Sequence, residues 1–261
     1  MLVTGLFCSP YTFSPLERLG DKYISEDKEE SFPLLNGIPR FCSSDNYTEN
    51  FGFQWNLFDK TQLDSFANTS ISLDRFYRST NWRAEDLSQL KVLEVGCGAG
   101  RFSEVFLKTT KGILYSIDFS NSVEANYKNN FKYSKRLNLA QASLYQMPFA
   151  DNTFDKIFCL GVLQHTPSFE RSIESLVRKV KIGGEIVVDF YPLKGWYTKF
   201  NAKYILRPIL KRLPKRLLLF IIKTNIRWMI ILFDLLVLLR LSILTRFIPI
   251  TNLSNFPKEL T

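Results

Sequence analysis

Three glycines at two-residue spacing, Gly96, Gly98 and Gly100, follow an apolar run in "VLEVGCGAGRF" (Val92 to Phe102). They leave a loop nearly stripped of side chains. Such a loop, opening a helix, lets backbone N–H groups approach a ligand closely. Two ligand classes compete for it. A dinucleotide fingerprint is G-x-G-x-x-G, with the third glycine packing helix on strand. Here Gly96 and Gly98 fit, but the third slot holds Arg101. The spacing present is E-x-G-x-G-x-G, headed by Glu94. A carboxylate on the approach to the loop repels a pyrophosphate and suits a cationic ligand. Cys97 reads as a small residue in a tight turn rather than a nucleophile, and Arg101 as a solvated first-turn side chain. The sole histidine, His165 in "VLQHTP", offers an imidazole suited to proton transfer near neutral pH. It stands either as a general base for an acceptor hydroxyl or, the simpler reading, as a structural residue at a strand-to-helix corner.

The elements around these residues alternate. "KVLEV" is a short buried strand and "GRFSEVFLKTT" a helix opening at the glycine turn. "GILYSID" is a second strand and "NSVEANYKNNF" its helix. "LNLAQAS", "FDKIFCLGVL" and "GGEIVVDFY" supply strands three to five, with "SFERSIESLVRKV" a helix capped by Ser168. This order predicts an α/β fold, a doubly wound, mostly parallel sheet with helices on both faces. Right-handed crossovers are the default after strands one, two and four. Residues 1–50 read as an irregular leader with one short hairpin, "FPLLNGIPRF", around an Asn-Gly turn. Residues 51–191 form the core, preceded by cap helices in "FGFQWNLFDKTQLDSF" and "SLDRFYRSTNW". Trp55, Phe58 and Gln62 on the first of these fit either a cover over a ligand or plain core. Residues 192–261 form a basic, apolar, helical extension.

Composition narrows the classes. Hydrophobic residues make up 46% and charged residues 23% of 261, with 23 Phe and 11 Tyr to build a core. Cys8, Cys42, Cys97 and Cys159 are far apart, and with one histidine they assemble no usual zinc pattern. That usage suits a reducing compartment. No signal peptide is read at the N-terminus, so the sequons at Asn46, Asn68 and Asn252 are chance matches. Pro192 to Thr261 carries 13 Lys+Arg against two acids, a net +11, while Met1 to Tyr191 nets −2. The asymmetry points the tail at an anionic surface or ligand. The tail has no run of 18 uncharged residues, which makes it a poor membrane span. Arg212, Arg216, Lys223, Arg227 and Asp234 would fall within about 60° on one helix, which Pro214 interrupts. A helical cap on the domain and a membrane-surface helix both fit this pattern.

With these residues in order, the chain resembles the class I S-adenosylmethionine-dependent methyltransferases of the type 11 kind. "VLEVGCGAGRF" is similar to their first motif. Asp118 in "YSIDFS" stands where the family places an acid on the ribose. "QMPFADNTFDKIFCLGVLQHTP" and "VRKVKIGGEIVVDF" resemble the segments around strands four and five. The resemblance covers roughly Leu90 to Tyr191 and implies a Rossmann-like sheet. It implies that Glu94 holds the ammonium and sulfonium end of S-adenosylmethionine through charge and ordered water. Gly96, Cys97, Gly98 and Gly100 would lie under sulfur and ribose, Asp118 would take the ribose hydroxyls, and Phe119 and Leu160 would line the cofactor. The family's acid after strand three is missing from "QAS" (Gln141 to Ser143), which leaves Ser143 and the Leu144 backbone for adenine. "FPLLNGIPRF" with "NFGFQWNLFDKTQLDS" resembles the leader of bacterial methyltransferases linked to surface-polysaccharide pathways. Only Cys8 and Cys42 remain of a cysteine-bearing ribbon seen in some relatives, so no metal is expected.

The function this implies is methyl transfer from S-adenosylmethionine to a small or lipid-linked sugar-like acceptor. The alternatives are a methyltransferase of lipids, quinones or other small metabolites, and a catalytically silent interaction module at a membrane surface. Alignment alone can supply roughly 7–11 kcal/mol in such a transfer, so His165 is not obligatory. A slightly acidic core disfavours nucleic acid as a partner. A cytoplasmic chain is expected, with membrane-surface contact through residues 205–250 left open beside the helical cap. The family sheet has seven strands, and only twelve residues, "ITNLSNFPKELT", follow Pro249. One or both terminal strands are therefore expected to be missing, with the open edge covered by the tail or by a second copy. Relatives continue past this point, which leaves a shortened chain of impaired activity open.

Overall fold

In the computed structural model, which describes residues 7–43, 45–190, 201–210 and 212–248, the N-terminal stretch is more regular than its sequence suggests. It holds a four-stranded antiparallel sheet of β1 (Leu16–Leu19), β2 (Lys22–Ser25), β3 (Ser31–Leu35) and β4 (Ile38–Pro39), in that order. The expected hairpin around Asn36-Gly37 is present, with both residues at positive φ, 52° and 80°. A two-residue hairpin loop of this kind requires that. The β1–β2 hairpin was not legible. "LERL" and "KYIS" carry too much charge to show a strand alternation, although Leu16 and Tyr23 are buried.

Three helices follow: α1 (Glu49–Leu57), α2 (Asp64–Ala67) and α3 (Ile71–Thr80). Asp64 fixes the start of α3, its carboxylate accepting from the Ser72 N–H at 2.9 Å and the Leu73 N–H at 2.8 Å. This satisfies amides that have no partner within the helix.

The rest of this unit is the alternation read from sequence: β5 (Lys91–Val95), α4 (Arg101–Thr109), β6 (Ile113–Asp118), α5 (Val123–Asn130), β7 (Leu137–Gln141), β8 (Phe154–Cys159), α6 (Phe169–Lys179) and β9 (Val180–Val188). Ser168 caps α6 by accepting from the Arg171 N–H. The strands pair in parallel in the order β7-β6-β5-β8-β9. This is the Rossmann-like, doubly wound α/β arrangement. Chain order reverses at β5, so a crevice opens beyond the carboxyl ends of β5 and β8, where such sheets bind ligands.

Burial explains the near-continuous apolar strands. Leu93, Tyr115 and Ile157 enter one core face, while Val92, Leu114 and Phe158 enter the other. The N-terminal sheet shares the first face, where the Phe7 ring stacks on Phe149 at 5.6 Å. It also caps the β7 edge. The Phe41 N–H donates to the Gln141 carbonyl at 2.8 Å, and buried Arg40 ion-pairs with Glu124 and donates to Gln141 Oε1 at 3.2 Å.

β9 departs from its predicted start. It begins directly after α6 and bulges at Gly183 (φ 80°), with Ile182 97% exposed, before pairing resumes at Lys156 and Glu185. Among the described residues the parallel sheet has five strands, and the segment 250–261 lies outside them.

The second unit, residues 192–261, contains α7 (Ala202–Leu210), α8 (Lys215–Leu238) and a 3-10 stretch at Ser242–Phe247. Pro214 is the N-cap of α8. Arg212 thus precedes the helix, and the predicted polar stripe reduces to Arg216, Lys223, Arg227 and Asp234. No helix among the described residues is long and apolar enough to cross a membrane.

Candidate active site

The glycine loop leaves β5 and turns into α4 with Gly96, Gly98 and Gly100 at φ 81°, 51° and 89°. Side chains rarely adopt this region. Space forbids them as well at two positions. A Cβ on Gly96 would overlap the Val162 side chain, and one on Gly100 would overlap the amides of Asn126 and Asn130. At Gly98 the nearest neighbour is the Trp55 indole, 3.5 Å from where a Cβ would stand. The first and third glycines thus serve packing, while Gly98 faces across a cavity.

Asp118, at the end of β6, organises that loop. Its Oδ2 accepts from the Gly98 N–H at 2.9 Å, and its Oδ1 accepts from the Ser120 N–H and hydroxyl at 2.8 and 2.7 Å. Each carboxylate oxygen has about two acceptor positions, so the group keeps capacity toward the cavity it lines. That cavity, of about 510 Å³, is bounded by loops from the ends of β5, β6, β7 and β8 and by α1 and α3.

Most residues singled out in the sequence reach this wall. Gly96, Cys97, Gly98, Asp118 and Phe119 line it, as do Ser143, Leu144, Leu160 and His165. Phe119 packs on Tyr47 with ring centroids 5.5 Å apart. Burial, with Asp118 and Glu94 nearby, holds the Cys97 thiol well above its usual range, so it is no nucleophile at neutral pH. His165 is exposed at the cavity, its ring 5.0 Å from that of Phe51. Trp55 and Gln62 line the cavity; Phe58 is 41% exposed and is not on its wall.

Glu94 and Gly100 are not on the wall. Strand alternation sends the Glu94 side chain to the same face as Val92, toward α4 and α5. There its carboxylate, 2% exposed, accepts from the hydroxyls of Ser103 and Ser116, the latter at 2.7 Å. Asn126 donates in turn to Ser103 at 2.8 Å. Burial pushes the Glu94 pKa up to about 7, against the lowering effect of the two serines, and Asp118 adds to the rise. Gln141, in the triplet that departs from the family pattern, is fully buried. Its amide donates to the Phe119 carbonyl at 3.1 Å and its oxygen receives Arg40, so it braces the Asp118–Phe119 turn.

Sequence reasoning missed several wall residues. Arg101 is not a solvated side chain: it is part-buried on the wall, its Nε donating to the Ser72 hydroxyl at 2.8 Å. Arg75 on α3 also lines the cavity and pairs with Asp189 at 2.6 Å. Tyr145 follows the Ser143–Leu144 turn, its hydroxyl donating to the Ser168 carbonyl and accepting from the Ser168 N–H, both at 3.1 Å. Burial would raise its pKa, but hydrogen bonds from Ser172 and the Ser168 amide, with Arg171 nearby, lower it. The signal for Arg75 was its helical spacing in "SLDRFYRSTNW". Nothing in one sequence tells which helix face meets a cavity.

The wall thus combines a carboxylate, bare backbone and aromatic rings. That set fits S-adenosylmethionine, which carries a ribose diol, a flat base and a cationic amino-acid end.

Residues 93–188 match a family model described as a methyltransferase domain. The chain is 29% identical over 118 residues to the sterol 24-C-methyltransferase of Aspergillus fumigatus, covering 44% of this chain and 31% of that protein. It is 30% identical over 147 residues to the tRNA U34 carboxymethyltransferase of Nautilia profundicola, covering 51% and 48%. Against the demethylmenaquinone methyltransferase of Shouchella clausii the identity is 28% over 130 residues, covering 46% and 54%. The chain therefore spans from about a third to about half of these relatives' lengths.

Proposed function

We propose that residues 93–188, which match a methyltransferase domain model, form a class I methyltransferase domain, and that the chain transfers a methyl group from S-adenosylmethionine to a small or lipid-linked sugar-like acceptor. The observation that carries this reading is Asp118 beside the glycine loop. The carboxylate is held at the cavity by the Gly98 N–H and by Ser120. In the proposal Asp118 takes the ribose hydroxyls and the bare backbone at Gly96 and Gly98 lies under the nucleoside. Phe119, Ser143, Leu144 and Leu160 receive its base. Glu94 contributes from behind the loop, shaping charge and holding α4 through Ser103, rather than by direct contact. When bound, S-adenosylmethionine supplies an electrophilic methyl group. The protein's task is then to align an acceptor and exclude water, which Trp55 and Gln62 on the covering segment suit. His165, the cavity's imidazole, is the candidate to take a proton from an acceptor hydroxyl.

A second reading keeps the chemistry and changes the acceptor to a lipid or quinone. The relatives named for a sterol and for demethylmenaquinone favour it. Both readings share a membrane-surface role for the second unit, supported by its net +11. The exposed Phe220, Trp228, Ile231 and Leu238 on α8 support it too. The deciding experiment is methyl transfer from tritiated S-adenosylmethionine to polyprenyl-linked sugars, sugar nucleotides, quinones and sterols. Label in a sugar supports the first reading. Label confined to a quinone or sterol replaces it with the second.

A further inference from the structure

We infer that Tyr145 is a positioning residue for His165: its hydroxyl ties the turn after β7 to the turn after β8 that carries the imidazole. The tie rests on the function proposed above, in which Ser143 and Leu144 receive the base and His165 takes a proton from the acceptor.

Tyr145 lines the cavity four residues beyond the end of β7. Its N–H donates to the Ser143 hydroxyl at 3.2 Å, and the turn closes with the Gln146 N–H donating to the Ser143 carbonyl at 3.1 Å. The Arg171 guanidinium stands over the ring, its carbon 5.3 Å from the centroid. Backbone and ring are thus both held. The hydroxyl reaches the start of α6, where it accepts from the Ser168 N–H and donates to the Ser168 carbonyl, both at 3.1 Å.

From Ser168 the connection runs back to His165 by two routes. One is covalent. Pro167 restricts its own φ to about −65° and favours an extended residue before it. Thr166 is extended, at φ −86° and ψ 149°. The other is a chain of hydroxyls. Ser172, fully buried, donates to Tyr145 Oη at 3.1 Å and lies 3.0 Å from Thr166 Oγ1, which donates to the Leu163 carbonyl at 2.7 Å. Leu163 and His165 are the first and last residues of one 3-10 turn. Burial strengthens a hydrogen-bond chain of this kind.

A phenylalanine at position 145 would fill the same wall and keep the Arg171 contact. What the hydroxyl adds is a bridge between the ends of β7 and β8, which are not neighbours in the sheet, since β6 and β5 lie between them. A nucleoside filling the β7 side of the cavity is thereby felt at the imidazole on the β8 side.

The chain has one histidine, so isotope-labelled histidine gives a single imidazole signal by NMR. The full chain is compared with Tyr145→Phe and with Ser172→Ala, which removes a hydroxyl of the same network from α6. In wild type, saturating S-adenosylhomocysteine should move the imidazole signal. In both variants the signal of the free protein should be displaced and broadened, and the ligand-induced movement should shrink by at least half. Affinity for S-adenosylhomocysteine should stay within about threefold, which also shows the variants folded. With an acceptor from the labelling screen above, Tyr145→Phe should lower kcat about 3- to 10-fold at unchanged KM. It should cost nothing further when added to His165→Asn. Imidazole signals identical to wild type, free and bound, overturn the tie. A full kcat loss on top of His165→Asn overturns it as well, because Tyr145 then acts by another route. Affinity lost more than tenfold in both variants also overturns it, by marking a structural role. If wild type binds no S-adenosylhomocysteine, the methyl-donor reading fails and the signals of the free proteins decide the tie.

Discussion

Replacing Glu94 by glutamine should abolish a pH dependence of stability that the fold builds into this chain. The carboxyl is 2% exposed and its pKa lies at about 7 in the folded protein, against 4.5 when the chain is open. A folded-state pKa above the unfolded one means that the native state keeps a proton the unfolded state has lost. The resulting stabilisation is full below pH 4.5 and is lost as pH rises through 7. At about 1.4 kcal/mol per pH unit, the 2.5-unit difference corresponds to about 3 kcal/mol, most of it lost between pH 5 and 8. In Glu94→Gln the new amide accepts from Ser103 and Ser116 through its carbonyl oxygen and never ionises. Urea denaturation of both proteins at pH 5, 6, 7 and 8 measures the effect, since other titrating groups cancel in the difference. Wild-type stability relative to the variant should fall by roughly 2–3 kcal/mol across that range, or about 5–10 °C in Tm for a domain of this size. Parallel pH profiles would show that Glu94 stays ionised in the folded chain and would refute the reasoning.

Other outcomes follow from the same contacts. His165→Asn should leave S-adenosylhomocysteine affinity unchanged and lower turnover by roughly 10²–10⁴-fold; a loss under about tenfold assigns His165 a structural role. Gly96→Ala adds a Cβ into the Val162 side chain at φ 81°. It should cost at least about 2 kcal/mol in urea denaturation, part of it recovered by adding Val162→Ala. The full chain should sediment with vesicles of anionic phospholipid more than with neutral ones. Changing Arg216, Lys223 and Arg227 together to Gln should reduce that by about 1 kcal/mol per charge; identical sedimentation with both vesicle types would contradict the membrane-surface role of α8.

What the sequence made legible depended on how local the cause was. "KVLEV" and "GILYSID" declare buried parallel strands because both faces are covered, and Ser168 declares a helix start by its own hydrogen bond. The glycine loop was legible because positive φ has few other solutions. The spacing of Glu94 to the glycines is legible, but its neighbours are not: strand alternation turns its side chain toward Ser103 and Ser116, a tertiary arrangement. The place of Arg101 and Arg75 on the cavity wall was not legible because it depends on α3 lying against the start of α4, a tertiary fact. The β1–β2 hairpin stayed hidden because its edge residues are charged, and only Leu16, Tyr23 and Ser25 are buried.

The central claim is that Asp118 and the glycine loop hold S-adenosylmethionine. It is tested most directly by isothermal titration of S-adenosylhomocysteine into wild type and Asp118→Ala, each checked for folding by thermal melting. Saturable binding to wild type is expected, with binding weakened about 10- to 100-fold in the variant through loss of charge-assisted hydrogen bonds. Equal affinity in a folded variant, or no binding by wild type, would contradict it.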